Sequence, residues 1–408
     1  MQRSFRPPKQ PSGPTSVEPG SLLRRLHEEP QEAINHIAGD IGGRRATSLG
    51  EAQAAAYLDG RMRRAGLRVS VDAFRSATGV GWEGLLLALL ATAGVALYYW
   101  LPLPSLALAL WDLAIAVFAL LRPGGPLLMR KRPSQNVIAT RALTSAPRWR
   151  VIVLAPLDSP PSAGRLARAL TVGPRALIGR ALACGLIVLL AALAILAAPL
   201  EVRRALWYAQ VAPAAYLVVL AALDLWLARA PATPGAVNHA GALAALLESA
   251  NTLGALTQTE LWAVGLGATS TGAGLADLLR RYPFDREQTL FVGLESIGGG
   301  RLSYVTREGL LRQRPADPQL LRLVAAADTA DPLIDAEPRP YRSEPTLTRP
   351  LQRDRRALTI IGLETDGRPS RRGSPLDTPE RVDAEQLDRA VRLVVGLVKQ
   401  IDSTSYEL

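Results

Sequence analysis

Residues 149–158 read WRVIVLAPLD. After Trp149 and Arg150 comes a short, β-branched apolar run that stops at Pro156, the pattern of a strand buried on both faces rather than of a helix. Asp158 follows in the loop. Ligands of open α/β sheets gather beyond the carboxyl ends of the strands, so Asp158 stands where a site is expected. Working outward, further strands are predicted at 67–74, 136–142, 260–268, 288–296 and 356–364. Helical periodicity occupies 238–253, 272–281, 317–329 and 383–402. Ahead of the first strand, Ser48 and Glu51 form a capping box before Ala54, Leu58 and Met62, and Gly66 ends that helix. Alternation of this kind predicts an α/β fold, a three-layer α/β/α sandwich on a mixed sheet. The short link between 136–142 and 149–157 predicts that these two strands are antiparallel neighbours.

Four apolar stretches interrupt the pattern, at 82–101, 105–121, 181–198 and 205–228, each near the ~20 residues needed to cross a bilayer. They form two hairpins, turning at 101–104 and 199–204. Trp82, Tyr98, Tyr99, Trp100, Trp207, Tyr208 and Trp226 lie at their ends, as interfacial aromatic residues do. The predicted organisation is a basic, disordered arm at 1–20 and a domain built from 21–81, 123–180 and 229–408. Transmembrane hairpins at 82–122 and 181–228 are inserted in it. An even number of spans keeps the domain and both termini on one side. The Arg/Lys residues from Arg122 to Arg180 predict that this is the cytoplasmic side of an inner or plasma membrane. Residues 1–20 lack the apolar core of a cleaved leader. Both hairpins break off where strands end, after 67–74 and after Asp158, so both are expected to leave from the sheet edge that carries Asp158. Asp112 and Asp224 fall inside spans, where a carboxylate costs about 2.5–3.5 kcal/mol at the centre. Each is expected to face other helices, as a packing contact or, for Asp112, as part of an ion or proton path.

The formal charge of +11 on a chain that is 48% hydrophobic and 20% charged does not predict a nucleic-acid partner, because the basic residues flank the apolar runs. Lipid is the expected partner. Three histidines (His27, His36, His239) and one cysteine (Cys184) leave little material for a zinc site, and one cysteine makes no disulfide within the chain. Ser159, Ser270 and Ser296 lie on candidate loops, but only His239 is near enough in pattern to act as a base, and no Gly-x-Ser-x-Gly elbow is present. GLESIGGG at 293–300 lacks the Lys-Ser/Thr of a phosphate loop and reads as a tight turn.

The ordered segments IGGRRATSLGEAQAAAYL, SQNVIAT, VIVLAPLDS, PGAVNHAGALAALLE, GLGATSTGAG, GLESIGG and SPLDTPERVD resemble the zinc aminopeptidases of metallopeptidase family 28. That fold is shared by glutaminyl cyclase, nicastrin and the transferrin receptor ectodomain. The resemblance runs from about Ala33 to Ile401 with the hairpins as insertions. It implies a two-zinc site, and position by position that site is missing here. The family's ligand His falls on Pro156, and only the orienting Asp remains as Asp158. The bridging Asp falls on Asn238. The general-base and ligand Glu pair falls on Thr269 and Ser270. The later Asp ligand falls on Glu295, and the final His falls on Gly373, with Asp377, Thr378, Pro379 and Glu380 retained. Too few ligands remain for zinc, and no carboxylate remains to activate water.

The resemblance with these losses implies a catalytically inactive pseudo-aminopeptidase, membrane-embedded, without cofactor, serving as a binding or assembly scaffold for a protein or peptide partner. Asp158 is then expected to position the second hairpin. Two alternatives remain. One is an active metal-dependent hydrolase using Asp158, His239 and Glu295, with zinc; the other is transport through the membrane part, with Asp112 as a working residue.

Overall fold

The WRVIVLAP run forms the centre of a nine-stranded sheet in the computed structural model, which describes residues 30–77, 82–121, 131–141, 147–310 and 312–404. The predicted arm at 1–20, His27 and the basic stretch 122–130 lie outside the described residues. In chain order the elements are α1 (Pro30–Ile34), α2 (Leu49–Arg64), β1 (Arg68–Ala77), α3 (Glu83–Leu97), α4 (Pro102–Leu121), β2 (Lys131–Arg141) and β3 (Trp149–Pro156). There follow α5 (Arg165–Thr171), α6 (Pro174–Leu196), α7 (Leu200–Ala209), α8 (Val211–Arg229), α9 (Gly241–Thr252), β4 (Thr259–Leu266), α10 (Ala273–Arg281) and β5 (Thr289–Glu295). The last are β6 (Arg301–Glu308), β7 (Arg314–Pro315), α11 (Pro318–Ala330), β8 (Glu337–Tyr341), β9 (Arg356–Leu363) and α12 (Ala384–Ser403).

The sheet order is β1-β2-β4-β3-β5-β9-β6-β7, with β8 paired to β6. β3 runs parallel to β4 on one side and to β5 on the other. The expected β2–β3 neighbourhood is therefore corrected: β2 pairs antiparallel with β4, which lies between them. The reason is burial. β3 is apolar on both faces and takes the centre of the parallel core, whereas the first residues of β2 are exposed and suit a place near the edge. Along β3, Val151, Val153 and Ala155 join the core under α2, α9, α11 and α12, while Ile152 and Leu154 join the core under α10. This period-two alternation with helices on both faces makes the three layers.

β1 pairs antiparallel with β2, and β2 with β4, so β1, β3, β4, β5 and β9 all end at the same edge. Both inserted hairpins leave from that edge, as their points of interruption predict. Their helices α3, α4, α6 and α8 pack side by side around an alanine-rich seam that includes Ala88, Ala91, Ala109, Ala116, Ala183 and Ala214. Small residues of this kind let helix backbones approach closely.

Among the described residues, three helical runs are long and apolar enough to cross a membrane: Pro102–Leu121, Arg175–Leu196 and Leu200–Arg229. The first predicted span is shorter than expected. α3 has 15 residues, a rise of about 22 Å against the ~30 Å of a hydrocarbon core. The predicted continuous run 205–228 is divided at Gln210 into α7 and α8. Pro213 explains the break, because it has no N–H to return to Ala209. As expected, both carboxylates in these helices face helix neighbours. Asp112 on α4 accepts the Cys184 thiol of α6 at 3.3 Å, and Asp224 on α8 is held by both contacts of Arg180 on α6, at 2.9 and 2.7 Å.

Candidate functional site

The loops beyond β3, β4 and β5 bring the sequence-predicted positions together. Pro156 is the last residue of β3, paired with Leu266. Two residues on, buried Asp158 turns its carboxylate to the loop after β4. Oδ1 accepts from the backbone N–H of Thr269 at 3.0 Å and from its hydroxyl, and Oδ2 accepts from the N–H of Ser270 at 3.2 Å. The residues standing at the Glu-Glu positions thus act as donors to Asp158. The expectation that Asp158 positions the second hairpin is corrected by this. The return of that hairpin is tied instead by its neighbours, through a Pro161–Ala232 bridge and the Ser159 hydroxyl donating to the Thr233 carbonyl at 2.8 Å.

Asn238, at the bridging position, spends its polar atoms on the protein. Its Nδ2 donates to the Ser370 carbonyl at 2.6 Å and to Asp377 at 3.1 Å, and its Oδ1 accepts from the Ser296 hydroxyl. Asp377 also takes the N–H groups of Val237 and Asn238 at 2.8 and 3.1 Å. The retained Asp-Thr-Pro-Glu run is thereby used to hold the Asn238 loop. The Asn238–His239 peptide is cis.

His239 is buried, and its Nδ1 meets the Asp158 carbonyl at 2.9 Å. Burial, reinforced by Arg372, pushes the imidazole down to about 3, so the ring is neutral at ordinary pH and Nδ1–H is the donor. Nε2 has no partner, and no serine hydroxyl reaches the ring among the described residues. Ser159 and Ser296 point to Thr233 and Asn238 instead. The serine-nucleophile arrangement is therefore absent from these residues.

Arginine occupies the other half of the site. Glu295 is buried, takes the Leu347 N–H at 2.5 Å and the Arg372 guanidinium at 3.1 Å. Burial raises its carboxyl above the ordinary value against the pull of Arg372. Arg168 grips both oxygens of Glu344 at 2.8 Å, and Arg372 approaches the same carboxylate at 3.1 Å. Gly373, at the final His position, has φ +76°, and a Cβ there would lie 2.7 Å from Cδ and 2.8 Å from Nη1 of Arg168. The guanidinium of Arg168 fills the space a side chain at 373 would need.

These donors do not fit zinc. His239 keeps Nε2 without a partner, but the carboxylates around it are already used, Glu295 by Arg372 and Asp158 by Thr269 and Ser270, and Arg44, Arg168 and Arg372 stand among them. Among the described residues no three His, Cys, Asp or Glu side chains gather to hold a metal ion.

Sequence reading passed over Arg44, Glu51, Arg168, Glu344 and Arg372. Only Glu51 carried a signal, as a capping residue. Ser48 does cap α2, accepting the Glu51 N–H at 3.3 Å, but the Glu51 carboxylate reaches past the box to the N–H groups of Thr47 at 2.7 Å and Ala268 at 2.6 Å and to the Ser134 hydroxyl at 3.0 Å. It is a strut under the loop that holds Thr269.

Burial, with Asp158 nearby, raises Glu51 to about 7 from its ordinary 4.5. The folded chain then keeps a proton that the unfolded chain releases between those values. Stability is expected to be full below about 4.5, to fall as pH rises toward 7 and to level off above it. The change is on the order of 3 kcal/mol. Thermal unfolding across this range should show the fall, and Glu51→Gln should flatten it.

No protein-family model matches the sequence, and no curated protein matches it. Solved structures do. A zinc aminopeptidase from Bacillus subtilis is similar with a TM-score of 0.56 at 12% identity, covering 91% of this chain and 94% of that one. An aminopeptidase from Aneurinibacillus sp. strain AM-1 gives 0.53 at 14%, covering 91% and 92%. A glutaminyl cyclase from Porphyromonas gingivalis gives 0.53 at 11%, covering 91% and 97%. At these identities the likeness is one of architecture: the chain has the fold of zinc aminopeptidases and of glutaminyl cyclases.

Proposed function

We propose that this chain is a membrane-embedded pseudo-aminopeptidase, a peptidase-like domain that binds or assembles rather than cleaves. The observation that carries the reading is Arg168 lying in the space of a side chain at Gly373, with Glu344 and Glu295 neutralising Arg168 and Arg372. Where the resemblance would put a cation among carboxylates, guanidinium groups stand instead and take up the carboxylates that a metal would need. Water has no evident activating base, since Thr269 and Ser270 donate to Asp158.

Membrane embedding is supported by the outer surface of the hairpins, where Trp111, Phe118, Leu182, Leu189 and Val219 are exposed around the alanine seam. An apolar belt of this extent is unusual on a protein surrounded by water. The basic residues beside the spans support a cytoplasmic position for the domain. An impermeant thiol reagent added from outside should then label a cysteine introduced at position 101; labelling only from the cytoplasmic side would reverse the orientation.

The catalytic half of the reading is tested with full-length protein purified in detergent. Metal content should be far below one zinc per chain, and aminoacyl substrates should turn over no faster than buffer. Stoichiometric zinc together with aminopeptidase activity abolished by Asp158→Ala and Glu295→Ala would establish the active-hydrolase alternative.

A further inference from the structure

A cleft of about 1010 Å³ lies between the base of the second hairpin and the loops beyond the sheet edge. One wall is α5 with the ends of α6 and α8; the other is formed by residues 342–344 and 364–376. Its deep charges cancel, because Arg168 and Arg372 are paired with Glu344 and Glu295. The rim is not balanced. Arg175, Arg229, Arg342, Arg368 and Arg371 are exposed along it, against Glu364 and Asp366 alone. Arg168, 8% exposed, also keeps a buried Nη1 with no acceptor.

We propose that this cleft binds a phosphate-bearing anion, supplied by the headgroup of an acidic phospholipid or by free phosphate. Guanidinium groups offer paired N–H donors that match phosphate oxygens, and several converging arginines hold such a group better than a carboxylate surface does. Arg175 sits in the first turn of α6 and Arg229 at the end of α8, so the rim is at the ends of two apolar helices, with exposed Trp226 between them. Basic pockets at such helix ends suit acidic lipid headgroups. The lipid source rests on the embedded reading above; the free-phosphate source does not.

The test uses full-length protein in detergent, stripped of lipid. Retention of phosphatidylglycerol and of phosphatidylcholine is read by native mass spectrometry, and stabilisation by inorganic phosphate is read by thermal unfolding. Phosphatidylglycerol retained in preference to phosphatidylcholine, or stabilisation by phosphate, is expected to weaken about tenfold in Arg342→Gln/Arg371→Gln and again in Arg175→Gln/Arg229→Gln. Loss on the first probe identifies the lipid source and loss on the second the soluble one. All four positions are exposed at the rim, so both variants should melt with the wild type in the absence of ligand. Equal retention of the two lipids without phosphate stabilisation, binding by neither probe, or unweakened binding in both variants would overturn the proposal. Release of the chain from membranes by alkaline carbonate would refute embedding separately and leave the phosphate comparison standing.

Discussion

Arg44→Ala should destabilise the fold severely. The guanidinium is fully buried and donates to five carbonyls, those of Ile37, Gly42, Leu157, Pro234 and Gly235, at 2.7–3.1 Å. Those carbonyls belong to the chain after α1, the loop after β3 and the return from the second hairpin, three segments with no shared strand. Removing the side chain takes the donor from five buried carbonyls and leaves Asp158 and Asp377 without the cation that faces them. Breaking a buried charged network of this type costs about 3–5 kcal/mol, a large part of the 5–15 kcal/mol that holds an ordinary domain. Melting in detergent should fall by roughly 10 °C or more. Arg44→Lys keeps the charge but has three donors for five acceptors, and should fall between the alanine variant and the wild type.

Arg180→Ala should have an effect of similar size through the opposite half of the molecule. It would leave Asp224, 3% exposed, as an uncompensated charge between α6, α8 and α3, where Gly84 packs against the carboxylate with no room for a side chain. The expected cost is about 3–5 kcal/mol, whereas Arg180→Leu with Asp224→Leu should recover most of it, because the double change leaves neither charge of the pair unpaired in the bundle. A double-mutant cycle on melting temperature measures the coupling. A double variant as unstable as the single one would show that the pair contributes net stability beyond avoiding a buried charge.

The central sheet was legible because its strands are apolar on both faces: predicted 149–157 and 356–364 became Trp149–Pro156 and Arg356–Leu363. β6 and β8 were not. RLSYVTRE has a short mixed core between charged ends, and EPRPY carries two prolines, a composition tolerated at the margin where β8 pairs only with β6. Strand order was misread for a related reason. Chain proximity favours β2 beside β3, but the match of apolar faces favours β4, and burial outweighed loop length. At the site, the missing ligands were readable from identity alone. Their replacements were not, because Arg44, Arg168 and Arg372 look like any other arginines until folding buries the first two and brings the third against Glu295 and Glu344.

The two hairpins are inserted at separate points of one sheet edge, so the chain passes between the sheet and the helical bundle four times. A domain joined by one linker turns freely about it. Four connections, spread from β1 at the margin to β3 at the centre, oppose such a swing. Tilt or compression of the bundle is felt in the loop beyond β3, and hence by the residues around Asp158, more as strain than as rotation. The molecule is built like a table bolted at four corners, and a force on its legs is felt in its top.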